Sequence, residues 1–360
     1  MTATVEVQKP TIKAMLALTG GDSLPSRAMP ESAPPPSRST PPPPPPARML
    51  AESLRGQLEE ACNGRLGRIS WFRADWQRGG AATGHATWQL DDGSSRNVVV
   101  KVPVGPRELF WTRRLQHDGT ELPPTVAQLL ASGRTLGPYD LGWIVTESLP
   151  VGPLGLHWDD AHVTRIADAA TRLHAETAPF EVDPALVARE DWHDTLDRAR
   201  KAVRENELEK GRQWKRIQKR VDKGLDDLVE RWRNRDLHHW VHGDLHLANA
   251  MCRTESADAP VILIDLAEVR PGHWVEDAVY LERQLWSRSR RLALAPAKTM
   301  WAARKTAGLA VHQHDHELAD IRRVLMGSTA TAFMRTEGHP RHLAACLEQA
   351  LAAADRLHMA

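Results

Sequence analysis

The chain contains Val241-His242-Gly243-Asp244-Leu245-His246-Leu247-Ala248-Asn249, followed by an apolar run, Val261-Ile262-Leu263-Ile264, that ends on Asp265. Four aliphatic residues closed by a carboxylate read as a short buried strand. Met251-Cys252, a loop over 253–260 and the strand over 261–265 then form a hairpin, which brings Asn249 and Asp265 together. Two carboxylates and an amide oxygen on neighbouring turns suit a hard divalent cation such as Mg²⁺ and can also aim a hydroxyl group. A surface or helix-capping aspartate is the ordinary reading of either carboxylate in isolation. The spacing of the whole pattern argues against it here.

The rest of the chain changes character twice. Residues 20–47 are rich in Pro, Ser and Ala, with six consecutive prolines from Pro41 to Pro46. Such a segment lacks backbone donors and apolar side chains, so it reads as an extended linker or tail, with weak docking through its prolines as the functional alternative. A short helix is expected within 1–19. From Arg65 onward Ile69-Ser70-Trp71-Phe72, the stretch 85–90 and the stretch 97–102 read as three strands, and Asp91-Asp92-Gly93-Ser94 supplies the turn between the last two. A fourth strand is expected over 141–147, and a helix near 106–117. After Pro150 the pattern is helical. Val163, Ile166, Ala170 and Leu173 form one stripe behind Asp159 and Asp160 as plausible N-caps. Trp192, Leu196, Ala199 and Val203 form another. Trp214, Ile217, Val221, Leu225, Leu228 and Trp232 read as a third, continuous one.

His-Gly-Asp-x-x-x-x-Asn with a metal-binding Asp after it resembles the protein-kinase pattern H-R-D-x-x-x-x-N, with Gly243 in place of the Arg. In this form it looks like the aminoglycoside phosphotransferase and choline kinase family, over about residues 65–330. The resemblance implies an α+β, bilobal protein-kinase-like fold: a small antiparallel β-sheet N-lobe over 48–150 that binds nucleotide, and a mainly helical C-lobe over 151–360 with the catalytic loop and substrate pocket. Residues 1–47 would be a disordered proline-rich tail. It further implies a kinase that moves the γ-phosphate of ATP (or GTP) to a hydroxyl of a small molecule. Asp244 would be the catalytic base, and Asn249 and Asp265 would hold Mg. Lys101, at the end of a Val-Val-Val run, would reach the phosphates with Glu108 as its ion-pair partner; Glu121 is the weaker substitute. Gly79, Gly80 and Gly84 would let backbone N–H groups approach phosphate. The hinge over 147–151, with Glu147 and Leu149, would hold adenine through backbone groups. Asp277 would brace the catalytic loop and His242 would bond backbone around it.

Composition narrows the partners. With 47 basic and 46 acidic residues the formal net charge is +1, and both signs are interspersed, so no nucleic-acid partner is implied. No run reaches the roughly 18–20 apolar residues of a membrane span, and the three cysteines have no metal-like spacing; a cytoplasmic protein is the expectation. His312-Gln313-His314-Asp315-His316 looks metal-like, but alternate residues do not share a helix face, so a surface helix is expected. Only about a dozen residues separate Asp265 from Asp277, too few for a long peptide-docking segment, which favours a small hydroxyl acceptor. The rival readings are a catalytically silent nucleotide-binding scaffold and an atypical protein kinase. The scaffold predicts loss of a metal ligand or of the phosphate lysine, yet Lys101, Asp244, Asn249 and Asp265 are all present; the atypical protein kinase is the weaker third reading.

Overall fold

The computed structural model describes residues 52–73, 81–116, 123–156, 158–187, 189–237 and 239–359. The proline-rich segment, the helix expected within 1–19, Gly79, Gly80 and Glu121 lie outside the described residues. The chain divides into two compact units. The first runs up to Arg113 and resumes at Gln128–Ser148; the second comprises Arg114–Ala127 and Leu149–Ala360.

Among the described residues, the first unit is a five-stranded antiparallel sheet with two helices. Its strands are β1 (Ser70–Arg73), β2 (Ala82–Gln89), β3 (Ser95–Val104), β4 (Leu129–Gly133) and β5 (Gly142–Glu147), in the order β1-β2-β3-β5-β4. The helices are α1 (Arg55–Ala61) and α2 (Pro106–Arg114). In β3 the residues alternate strictly: Val98, Val100 and Val102 are buried, while Val99, Lys101 and Pro103 lie on the other face. The buried valines pack with Leu58 of α1 and with Trp71, Ala82, Trp88 and Val145. Each contributes roughly 1.5–3 kcal/mol by leaving water. A one-residue slip would exchange them for Lys101, so burial fixes the register and thereby the face that carries the lysine. The β2–β3 turn is closed by Leu90 N–H to Ser94 O at 2.8 Å and by Ser94 N–H to Asp92 Oδ1 at 2.9 Å, with Gly93 in the left-handed region.

Two sequence expectations need correcting here. β2 begins at Ala82, so Gly84 is a strand residue opposite Val100 and not part of a loop. A Cβ at Gly84 would collide with Ile69 and Trp71, so close packing against β1, not phosphate approach, accounts for the glycine. β4 has no counterpart in the sequence reading. All five of its residues are half-buried, which leaves no alternation to detect.

The second unit is mainly helical: α3 (Ala161–Thr177), α4 (Trp192–Glu205), α5 (Gly211–Lys223), α6 (Leu225–Arg233), α7 (Trp274–Arg283), α8 (Pro296–Thr306), α9 (Asp315–Ser328) and α10 (Pro340–Arg356), with shorter helical turns between them. Two small antiparallel ladders join it, β6 (His239–Val241) with β9 (Arg270–Gly272) and β7 (Ala250–Met251) with β8 (Ile262–Leu263). The apolar stripe from Trp214 to Trp232 belongs to two helices, because Gly224 interrupts it between α5 and α6. The spacing of four from Val221 to Leu225 across Gly224 keeps the stripe in phase, which is why periodicity alone does not show the break. At the start of α3 it is Asp159 that accepts from Ala161 N–H, at 2.9 Å, whereas Asp160 accepts from the Trp158 indole at 2.6 Å. The histidine cluster departs from a surface helix too. His312 and His314 precede α9 with their rings stacked at 5.2 Å, and Asp315 is buried beside His273 at 3.5 Å. Among the described residues no group of three or more His, Cys, Asp or Glu side chains could hold a metal ion. Nor is any described helix long and apolar enough to cross a membrane.

Candidate active site

β6 delivers the chain into His242 and then Gly243, whose φ is +79°. A Cβ at Gly243 would strike the Arg270 guanidinium and the Glu268 carbonyl, so the position that carries Arg in the protein-kinase pattern here tolerates only glycine. Asp277, one turn into α7, fixes this corner from beneath. Its carboxylate accepts from His242 N–H at 2.8 Å, from Gly243 N–H at 2.9 Å and from His174 Nε2 at 3.1 Å. Burial alone would raise the Asp277 carboxyl, but the His174 hydrogen bond and the neighbouring donors more than offset it and hold it below the usual range. His242 Nδ1 accepts from Asp244 N–H at 3.4 Å, which leaves Nε2 to donate to Ile264 O at 3.1 Å. The imidazole thus ties the Asp244 turn to the end of β8, the structural role expected of it.

Asp244 projects from this corner into a set of donors. His246 Nε2 lies 3.5 Å from its Oδ2, and Asn249 Nδ2 donates to its backbone O at 3.0 Å and to Oδ2 at 3.2 Å. The Tyr280 phenol lies on the same side of the loop, its ring stacked 6.4 Å from that of His246. The His246 hydrogen bond, helped by Tyr280 and opposed by partial burial, holds the Asp244 carboxyl well below the ordinary range. Burial, with the Asp244 charge, pushes the Tyr280 phenol up. With its Nδ2 turned to Asp244, Asn249 has its amide oxygen left to offer a cation. The expected hairpin is present: Ala250 pairs with Leu263, and Ile264 N–H donates to Asn249 O at 3.0 Å. Asp265 follows at φ +62°, an exposed left-handed residue that costs roughly 1–2 kcal/mol and that Asp tolerates better than most.

In the first unit, Lys101 Nζ donates to Glu108 Oε1 at 2.8 Å, with Lys101 on β3 and Glu108 in the first turn of α2. Glu147 ends β5. Its N–H donates to Gln128 O at 2.9 Å and its carboxylate accepts from Gln128 N–H at 2.7 Å, so the side chain clamps the start of β4. Leu149, in the second unit, is buried against Ala127 and Ile262.

A loop in which a buried aspartate fixes His-Gly-Asp, with Asn249 and Asp265 flanking the β7–β8 ladder, is what the family comparison addresses. The model of the phosphotransferase enzyme family matches residues 75–313. The chain belongs to that family. Phosphotransferase is therefore its activity class, and its fold is the α+β, protein-kinase-like one. Among solved structures it is similar to an aminoglycoside phosphotransferase from Alicyclobacillus acidocaldarius, at 16% identity over 82% of this chain and 90% of that one, TM-score 0.52. It is also similar to a microcompartment-associated aminopropanol kinase, at 14% identity over 85% of this chain and 97% of that one, TM-score 0.54. No curated protein matches.

Sequence reasoning did not single out His174, His246 or Tyr280, which lie against Asp277 and Asp244. His246 was visible inside the motif. His174 shares the buried stripe of α3, where a titratable residue is itself a signal, but nothing in spacing connects it to Asp277. Burial pushes His174, His242, His162 and His342 below the ordinary imidazole range. In the unfolded chain each takes up a proton near pH 6.5, so the native state binds fewer protons below that value. Stability contributed this way is present above about pH 6.5 and is lost as pH falls beneath it. We expect the thermal midpoint at pH 5.5 to lie below that at pH 7.5 in a melting series at constant ionic strength. An equal or higher midpoint at pH 5.5 would contradict this.

Proposed function

We propose that the protein transfers the γ-phosphate of ATP (or GTP) to a hydroxyl group of a small molecule, with Asp244 aiming the acceptor oxygen. The observation that carries this reading is the setting of Asp244: its Oδ2 accepts from Asn249 Nδ2 at 3.2 Å and lies 3.5 Å from His246 Nε2, while Asn249 O accepts from the N–H of Ile264, the residue before Asp265. A carboxylate so strongly stabilised as the anion is a weak base. Its contribution is to orient the hydroxyl and bear its proton late, which is what a loose phosphoryl transition state asks of it.

Asn249 and Asp265 supply two oxygen ligands, a set that suits Mg²⁺, which keeps the rest of its shell as water and phosphate oxygen. When bound, the ion neutralises phosphate charge. Lys101, oriented by Glu108, would supply a further positive charge to the phosphates. Leu149 would contribute hinge backbone to the adenine. The acceptor is a soluble small molecule, and neither nucleic acid nor membrane is part of the reading. Three buried free thiols, Cys62, Cys252 and Cys346, suit a reducing cytoplasmic setting.

The test is nucleotide turnover with ATP and GTP against aminoglycosides, choline-like alcohols, sugars and amino-alcohols, at graded Mg²⁺. Acceptor-dependent ADP or GDP release that EDTA abolishes is expected, and Asp265→Asn should need more Mg²⁺ to reach a lower maximum. Turnover that ignores every acceptor and is unchanged in Asp265→Asn would remove the reading.

A further inference from the structure

Beneath the Asp244 loop lies an arginine with no part in the family pattern described above. Arg304, near the end of α8, is fully buried. Its Nη1 lies 3.0 Å from His174 Nδ1, and its Nη2 lies 3.0 Å from His239 Nε2 and donates to Ala310 O at 3.0 Å. A guanidinium can only donate. Both imidazole nitrogens are therefore acceptors and both histidines are uncharged, so the remaining proton of His174 sits on Nε2 and points at Asp277 Oδ2, 3.1 Å away. Hydrogen bonds thus connect Arg304 through His174 to Asp277, whose carboxylate accepts from the amides of His242 and Gly243.

We propose that Arg304 is a positioning residue for phosphoryl transfer: by keeping His174 uncharged it leaves the full negative charge of Asp277 to hold the His242–Gly243 backbone from which Asp244 projects. This rests on the assignment of Asp244 made above. The charge balance supports it. The groups facing His174 are Asp277 from α7, Arg304 from α8, His239 from β6 and His273 before α7. His273 Nδ1 accepts from Val275 N–H at 3.2 Å, and its Nε2 faces Asp315 Oδ1 at 3.5 Å. Arg304 and Asp277 thus bracket a neutral bridge, and the buried Asp315 carboxylate of α9 adds a second negative charge near Arg304. Burial pushes Arg304 down to about 10, which still leaves it charged at neutral pH. Without it, an imidazole against a buried carboxylate would take up a proton near neutrality and draw Asp277 toward itself, away from the two amides.

The experiment combines ¹⁵N-detected imidazole spectra with pH profiles. In the wild type, His174 should show the uncharged Nε2–H form throughout pH 6–8.5. In Arg304→Met it should titrate within that range, the His242 and Gly243 amide signals should move with it, and kcat should gain an acid limb of about tenfold between pH 8 and pH 6. Arg304→Lys, which keeps a cationic donor, should restore the flat profile. A wild-type His174 that titrates there, or that carries its proton on Nδ1, overturns the proposal without any variant. So does an Arg304→Met enzyme whose His174 titrates while the loop amides and kcat stay flat. Should no acceptor support turnover, the functional reading falls, while the spectra still decide the role of Arg304. Should Arg304→Met fail to fold, the wild-type spectra and Arg304→Lys decide it.

Discussion

Asp244→Asn should lower kcat by about 10²–10⁴-fold while leaving KM for the nucleotide nearly unchanged. The substitution keeps the side chain's size and an acceptor oxygen for His246, but it removes the negative charge that, on the proposed function, would aim the hydroxyl and later bear its proton. Since that proposal assigns the nucleotide to other residues, its affinity should change little. The hydrogen bond from His246 keeps the wild-type carboxyl well below ordinary values. Asp244 should accordingly contribute no acid limb to the kcat profile between pH 5 and pH 9. Steady-state kinetics at several pH values, with a melting curve to confirm that the variant is folded, checks both statements. A variant within a few-fold of wild type would mean that Asp244 does not touch the reacting oxygen, whatever its sequence context suggests.

Such a prediction could be framed from sequence because the chemistry-bearing residues of the loop are close together along the chain. Asp244, Asn249 and Asp265 span 22 positions, and one hairpin is enough to join them. The first-unit sheet was legible for a similar reason: Val98, Val100 and Val102 alternate with Lys101, and alternation is a local property. What sequence did not show depends on contacts far apart in the chain. His174 meets Asp277 across 103 positions, and Arg304 meets His174 across 130. Each is a polar residue inside an apolar stripe, and the stripe dominates the pattern. Gly84 illustrates the opposite error. A glycine near other glycines suggests a phosphate loop, yet here the bulk of Ile69 and Trp71 sets the requirement. Gly243 was read correctly as a departure from the protein-kinase pattern, but its cause, the Arg270 guanidinium and the Glu268 carbonyl over its α-carbon, lies 25 or more residues downstream.

Lys101→Met should lower kcat/KM for the nucleotide by about 10²–10³-fold, the scale expected when one positive group facing developing phosphate charge is lost. It should also destabilise the fold. The side chains of Lys101 and Glu108 are 16% and 5% exposed, and removing one partner of so buried a pair leaves the other carboxylate without its cation, a loss of about 3–5 kcal/mol. Stability and catalysis can be separated by making Glu108→Leu as well. With both charges gone, the methionine and leucine can pack, and much of the lost stability should return, because a well-packed apolar pair often matches a buried ion pair. The nucleotide kinetics should not recover, since the ammonium assigned to the phosphates is still absent. Chemical denaturation together with nucleotide kinetics on the two single variants and the double variant separates the possibilities. If the double variant regained turnover along with stability, the ion pair would be a strut between β3 and α2 and nothing more.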